Sequence, residues 1–131
     1  MEDEFKHELV ALCHFHLPDL ELLYLFGSHA NNQASKNSDI DLAVLNFRVL
    51  PSIERWEIQQ KMAEQLNVDV DLVDLLVAST VLRNEIIHKG ICLFDVKNYQ
   101  SKFEMQTMSM YQHLNDERSD LIKKFVRIEH G

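Results

Sequence analysis

One hundred and thirty-one residues, 46% hydrophobic and 26% charged, suit one folded domain around one apolar core and exclude a disordered chain or a fibrous repeat. Thirteen lysines and arginines against 21 aspartates and glutamates give a net charge of −8, which argues against direct nucleic-acid binding and favours a basic partner. No apolar run of about 18 residues occurs and the N-terminus Met1-Glu2-Asp3-Glu4 is acidic where a secretory signal would be basic, so a cytoplasmic setting without a membrane span is expected.

Phe5, Leu9, Leu12, Cys13 and His16 recur at helical spacing, predicting a helix over about 2–16 that Pro18 ends. Leu20–Phe26 is short, apolar and aromatic and reads as a strand running into Gly27-Ser28 and a polar loop. The segment 39–47 alternates, with Ile40, Leu42 and Val44 on one face and Asp39, Asp41 and Ala43 on the other. Pro51 can open a helix that Ile53, Trp56, Gln60 and Ala63 carry to about Leu66. A third strand is expected over 68–76. Ser79 or Thr80 caps a helix carrying Val81, Leu82, Ile86 and Ile87 and ending at His88-Lys89-Gly90, with a short strand over 91–94 after it.

From Asn98 onward, Tyr99, Phe103, Met110, Leu114, Leu121, Phe125 and Ile128 fit one long helix or two broken near Asn115-Asp116. This tail is expected to pack through its stripe, with Met105, Met108 and Met110 filling gaps and part of the stripe left for a partner or a second copy. Cys13 and Cys92 form no CxxC pair, so both are read as small buried apolar residues rather than a disulfide or zinc site. The architecture is α/β, with residues 1–96 as the main unit and 97–131 as a helical extension of the same domain.

The acidity is uneven. Residues 1–96 hold sixteen acids against seven lysines and arginines, whereas residues 97–131 are nearly balanced. Asp39 and Asp41, two apart on a strand, leave the same face and repel unless a cation stands between them. Magnesium suits such a pair, because it commonly combines one or two carboxylates with substrate phosphates. Gly27-Ser28 supplies a seat for those phosphates: glycine permits close backbone approach, and Ser28 can cap a following turn. On the third strand Asp71 is mid-strand and is chosen as the third carboxylate, with Asp69 a solvated end residue and Asp74 on the opposite face by parity.

Leu25-Phe26-Gly27-Ser28, ten residues, and then Asp39-Ile40-Asp41 resembles the nucleotidyltransferases of the DNA polymerase β superfamily. Val70 to Leu75 looks like that family's third-carboxylate strand, and the chain is similar to the minimal nucleotidyltransferase antitoxins. The resemblance implies a polymerase β-like mixed sheet flanked by helices. It implies catalytic and metal-binding roles for Asp39, Asp41 and Asp71, a phosphate-binding turn at Gly27 and Ser28, two Mg²⁺ ions, and ATP as AMP donor. The implied partner is a HEPN-domain ribonuclease toxin, inactivated by AMP transfer to a tyrosine in a type VII-like toxin–antitoxin pair.

Many relatives read Gly-Ser-Arg-Ala-Arg-Gly where this chain has Gly27-Ser28-His29-Ala30-Asn31-Asn32, so two phosphate-neutralising arginines are absent. His29 is read as a loop histidine, and Lys36 as a more distant candidate for the nucleotide. Two rivals stand beside the enzyme: an idle acidic module that sequesters the toxin, and a nucleotidyltransferase acting on a small molecule.

Overall fold

Leu20–Phe26 is apolar at nearly every position, which suits a strand covered on both faces. In the computed structural model, which describes residues 3–30 and 38–130, this segment is strand β1, inside a four-stranded sheet. Helix α1 (Asp3–His16) precedes it. Strand β2 (Ile40–Asn46), helix α2 (Ser52–Leu66), strand β3 (Val70–Asp74), helix α3 (Thr80–Lys89), strand β4 (Ile91–Asp95) and helix α4 (Gln100–His130) follow. The order across the sheet is β3-β2-β1-β4. β1 is antiparallel to β2 and β4, whereas β2 and β3 are parallel, their connection carried by α2.

Strand parity sorts the side chains into two cores. Leu23, Leu25, Ile40, Leu42, Val44 and Leu72 meet Leu9 and Cys13 of α1 and Ile58 and Met62 of α2. The opposite parity, through Leu22, Tyr24 and Ala43, meets Ile86 of α3 and Phe103 of α4. Helices therefore cover both faces. α3 starts at Ser79, whose side chain accepts from the Leu82 amide at 3.1 Å. It ends at Gly90, where a Cβ would crowd the Ile86 and Leu25 carbonyls, so glycine lets helix end and strand approach closely.

Several expectations change. β2 opens at Ile40, so Asp39 stands just ahead of the strand rather than within it. β3 stops at Asp74, a buried residue whose Oδ2 accepts from the Leu50 amide and Oδ1 from the Leu76 amide, both at 2.9 Å. Those bonds turn the chain out of the sheet. α4 is continuous across Asn115-Asp116, but among the residues whose side chains are described only Phe103 and Thr107 are buried along it. Leu121 and Phe125 are 66% and 62% exposed, so the packing role holds for the start of the helix and its stripe runs on past the body. Met105, Met108 and Met110 are exposed rather than filling gaps. Cys13 is buried, its thiol pushed up to about 12 by that burial, while Cys92 is only half-buried. Both are free. No helix among the described residues is long and apolar enough to cross a membrane.

Candidate active site

Phe26 of β1 pairs with Asp41 of β2, and Asp41 pairs with Asp71 of β3. Register partners on adjacent strands share a face at a strand spacing of about 4.8 Å. Phe26, Asp41 and Asp71 therefore form a row on the face that α3 and α4 cover, one step beyond the buried Ala43 and the partly buried Val73. Asp41 is half-buried and Asp71 is exposed.

Directly after Phe26 the chain turns through a short 3-10 segment, Gly27–His29, closed by the Ala30 amide donating to the Gly27 carbonyl at 3.1 Å. Gly27 has φ +71°, and a Cβ there would collide with the Asp41 carboxylate. Backbone conformation and close approach both require glycine. Ser28 lies inside this turn, and the position capping it is Phe26, without a side-chain bond, so the expected capping role of Ser28 is not what forms the turn.

The electrostatics follow from the row. Burial, then Asp71, then Asp39 push the Asp41 carboxyl up, and the His29 ring pulls it partly back. Like charges this close disfavour full ionisation unless a cation joins them. Asp39 is exposed and lines a hollow of about 430 Å³ with Gln60, Glu64, Asn67 and Asp69, reaching Asp41 through its charge. Asp69 is exposed, its carbonyl accepting from the Ile40 amide at 2.9 Å, which fits an end residue. Among the described residues, no three His, Cys, Asp or Glu side chains converge tightly enough to hold an ion by themselves. The donor set is nevertheless hard oxygen with an under-compensated charge. It fits a magnesium ion that takes the rest of its shell from water and phosphate.

The structure thus makes Asp41, Asp71 and Gly27 neighbours, keeps Ser28 beside Gly27, and leaves Asp39 exposed just ahead of β2. His29 is more than a loop residue. Its Nε2 donates to the Ser38 carbonyl at 3.1 Å, tying the Gly27 turn to the segment that leads into Asp39. No spacing in the sequence signals that bond. Asn31, Asn32 and Lys36 lie outside the described residues.

Comparison with known proteins adds to this geometry. The polymerase beta nucleotidyltransferase family model matches residues 9–99. Protein adenylyltransferase MntA of Shewanella oneidensis is 43% identical over 122 residues, covering 93% of this chain and 88% of that one. A crystal structure of a toxin–antitoxin with AMP-PNP is similar at a TM-score of 0.83 and 42% identity, covering 92% of this chain and 98% of that one. A structure of tri-AMPylated Shewanella oneidensis HEPN toxin in complex with MNT antitoxin is similar at a TM-score of 0.80 and 40% identity, covering 96% and 99%.

Proposed function

The chain belongs to the polymerase β nucleotidyltransferase family, and from that premise we propose that it is the antitoxin of a type VII-like HEPN/MNT pair. It transfers AMP from ATP to a tyrosine of its cognate HEPN ribonuclease toxin and so inactivates it. The single observation that carries the chemistry is the row of Asp41 and Asp71 in register, with Gly27 held open against the Asp41 carboxylate. The 43% identity to a protein adenylyltransferase supports the choice of reaction. Residues 1–96 are read as the nucleotidyltransferase domain, residues 97–131 as its helical extension, and the cytoplasm as the setting.

Asp39, Asp41 and Asp71 are the residues that would hold Mg²⁺, two ions in this reading. Bound magnesium offsets phosphate charge and lowers the pKa of an attacking hydroxyl. Gly27 lets the backbone come close to the triphosphate, and the Ser28 hydroxyl donates to a phosphate oxygen. Asp71, on the far side of Asp41 from the Gly27 turn, is assigned the proton of the incoming tyrosine. The tyrosine oxygen forms its bond to the α-phosphorus as the bond to pyrophosphate breaks, and pyrophosphate leaves. The protein's own contribution is alignment and fixed charge.

Incubating the chain with its HEPN neighbour, ATP and Mg²⁺ and then weighing the intact neighbour tests this reading. Gain of whole AMP units is expected. A stable complex without added mass would point to sequestration, and an untouched neighbour with neither outcome would remove the assignment.

A further inference from the structure

The stripe that buries Phe103 and Thr107 of α4 does not stop where the body stops. Tyr111, Leu114, Arg118, Leu121 and Phe125 continue it at alternating spacings of three and four residues, the seam of a helix that pairs with another helix. Tyr111 and Leu114 are half-buried, whereas from Asp116 to Arg127 every side chain is exposed, Leu121, Ile122, Phe125 and Val126 among them. Apolar side chains grouped in this way on the outside of a protein mark a contact surface. The charges beside the seam identify what fits it. Asp116, Glu117 and Asp120 precede Leu121 and Ile122, and Lys123, Lys124 and Arg127 follow them. Around the apolar pair the helix is therefore mainly acidic on one side and basic on the other. Laid parallel on itself it sets like charge against like, and laid antiparallel it sets each acidic stretch against a basic one.

We propose that the exposed half of α4 is a self-association surface, and that its occupant is the same segment of a second copy of this chain, running antiparallel about a two-fold axis near Asp120. A two-fold contact must be complementary to itself, and the seam meets that condition level by level. Leu121 packs on the aliphatic stem of Arg118 of the second copy, Phe125 reaches Leu114 of the second copy at the edge of its body, and Glu117 stands beside Lys124 of the second copy. Symmetry makes each contact twice. Glu117 Oε1 lies 3.0 Å from His113 Nε2 one turn back on its own helix, which leaves Oε2 for the lysine. Arg118, the one charged residue in the seam, fixes register more than it adds strength. Four exposed apolar side chains per copy fall short of the roughly 800 Å² per partner of a standard interface, so monomer and dimer exchange with concentration. The inference does not depend on the nucleotidyltransferase reading.

Sedimentation of the full chain in reductant, from low to several hundred micromolar, tests this. The average mass of wild type is expected to climb from monomer toward dimer as concentration rises. Glu117→Lys and Lys124→Glu each set like charges together at both ends of the pair and are expected to weaken the dimer by at least about tenfold. The two substitutions combined restore opposite charges and are expected to recover most of the wild-type affinity. Leu121→Asp is expected to leave a monomer, and Leu121→Ala serves where circular dichroism shows that the aspartate has cost helix. Wild type that stays monomeric throughout, or a dimer untouched by either change at Leu121, overturns the proposal. A combined charge swap as weak as the single ones overturns the antiparallel register. A monomeric wild type whose Leu121→Asp variant no longer holds the HEPN toxin assigns the seam to that protein and overturns the second copy.

Discussion

Asp41 and Asp71 stand directly opposite each other across the parallel strands β2 and β3, and Asp71 is, after burial, the largest influence raising the Asp41 carboxyl. A pair held this way is costly without a cation and useful with one. Asp41→Asn is therefore expected to cut AMP transfer by at least about a hundredfold while the thermal midpoint in chelator stays level or rises by a few degrees. Adding Mg²⁺ should raise the midpoint of wild type and leave the variant's unmoved. Thermal scans with and without Mg²⁺, beside an intact-mass assay, check both halves. Unimpaired transfer, or a sharp loss of stability in chelator, would contradict the assignment.

Gly27→Ala is expected to damage the fold and the activity together. The residue sits at φ +71° with the Asp41 carboxylate where a Cβ would go, so alanine strains the turn and displaces the carboxylate. A destabilisation of about 1–2 kcal/mol should accompany loss of transfer, read by urea unfolding and by product mass. A fully active Gly27→Ala would mean that the turn and the carboxylate do not act as a unit.

Asp74 lies three residues beyond Asp71 and behaves oppositely. It is buried and accepts from two backbone amides, those of Leu50 and Leu76, and its removal leaves both donors without a partner. Asp74→Ala is expected to cost about 2–4 kcal/mol, measured by denaturant unfolding. Asp71→Asn, at an exposed position, should leave stability nearly unchanged while abolishing transfer. Equal stabilities of the two variants would undo this division of roles.

The contrast shows what the sequence could and could not disclose. Period-two alternation is enough to put Asp74 on the face opposite Asp71, Gly-Ser followed at fixed spacing by Asp-Ile-Asp singles out Gly27, Ser28, Asp39 and Asp41 as candidates, and the mid-strand position singles out Asp71. Partners are a different matter. Whether an aspartate faces solvent or receives amides depends on where Leu50 comes to rest, a contact across 24 residues that no local pattern encodes. The same holds for the bond from His29 to Ser38. In α4 the 3.6-residue period reports an apolar stripe correctly, but periodicity says nothing of how far the underlying body extends, so Leu121 and Phe125 look like core in sequence and are exposed in the fold.

His29 offers a test of that hidden bond. Its Nε2 holds the Ser38 carbonyl, and a glutamine amide can reach and donate similarly, whereas leucine fills the space without a donor. His29→Leu is expected to raise KM for ATP by about three- to tenfold, the worth of one hydrogen bond, with a smaller effect on kcat, and His29→Gln should restore most of it. Steady-state kinetics on the three proteins decide the matter. Equal defects in both variants would show that ring packing, and not the bond, is what counts.

The joint between sheet and tail has its own pH signature. Asp95, the last residue of β4, accepts from the amides of Tyr99 at 2.8 Å, Gln100 at 3.1 Å and Lys97 at 3.3 Å. Desolvation pushes its carboxyl up, but the combined backbone donors, led by Gln100, outweigh that and hold it below the usual carboxylate range. A folded-state pKa below the unfolded one contributes stability that is present above the unfolded value, near 4, and lost as pH falls through the folded value. Asp95→Ala is expected to lower stability at pH 7 by about 1 kcal/mol, the cost of a lost helix cap, and the gap to wild type should narrow on acidification below about pH 4. Urea unfolding of both proteins between neutral and acid pH measures it. A gap that stays constant across that range would show that Asp95 contributes through shape and not through charge.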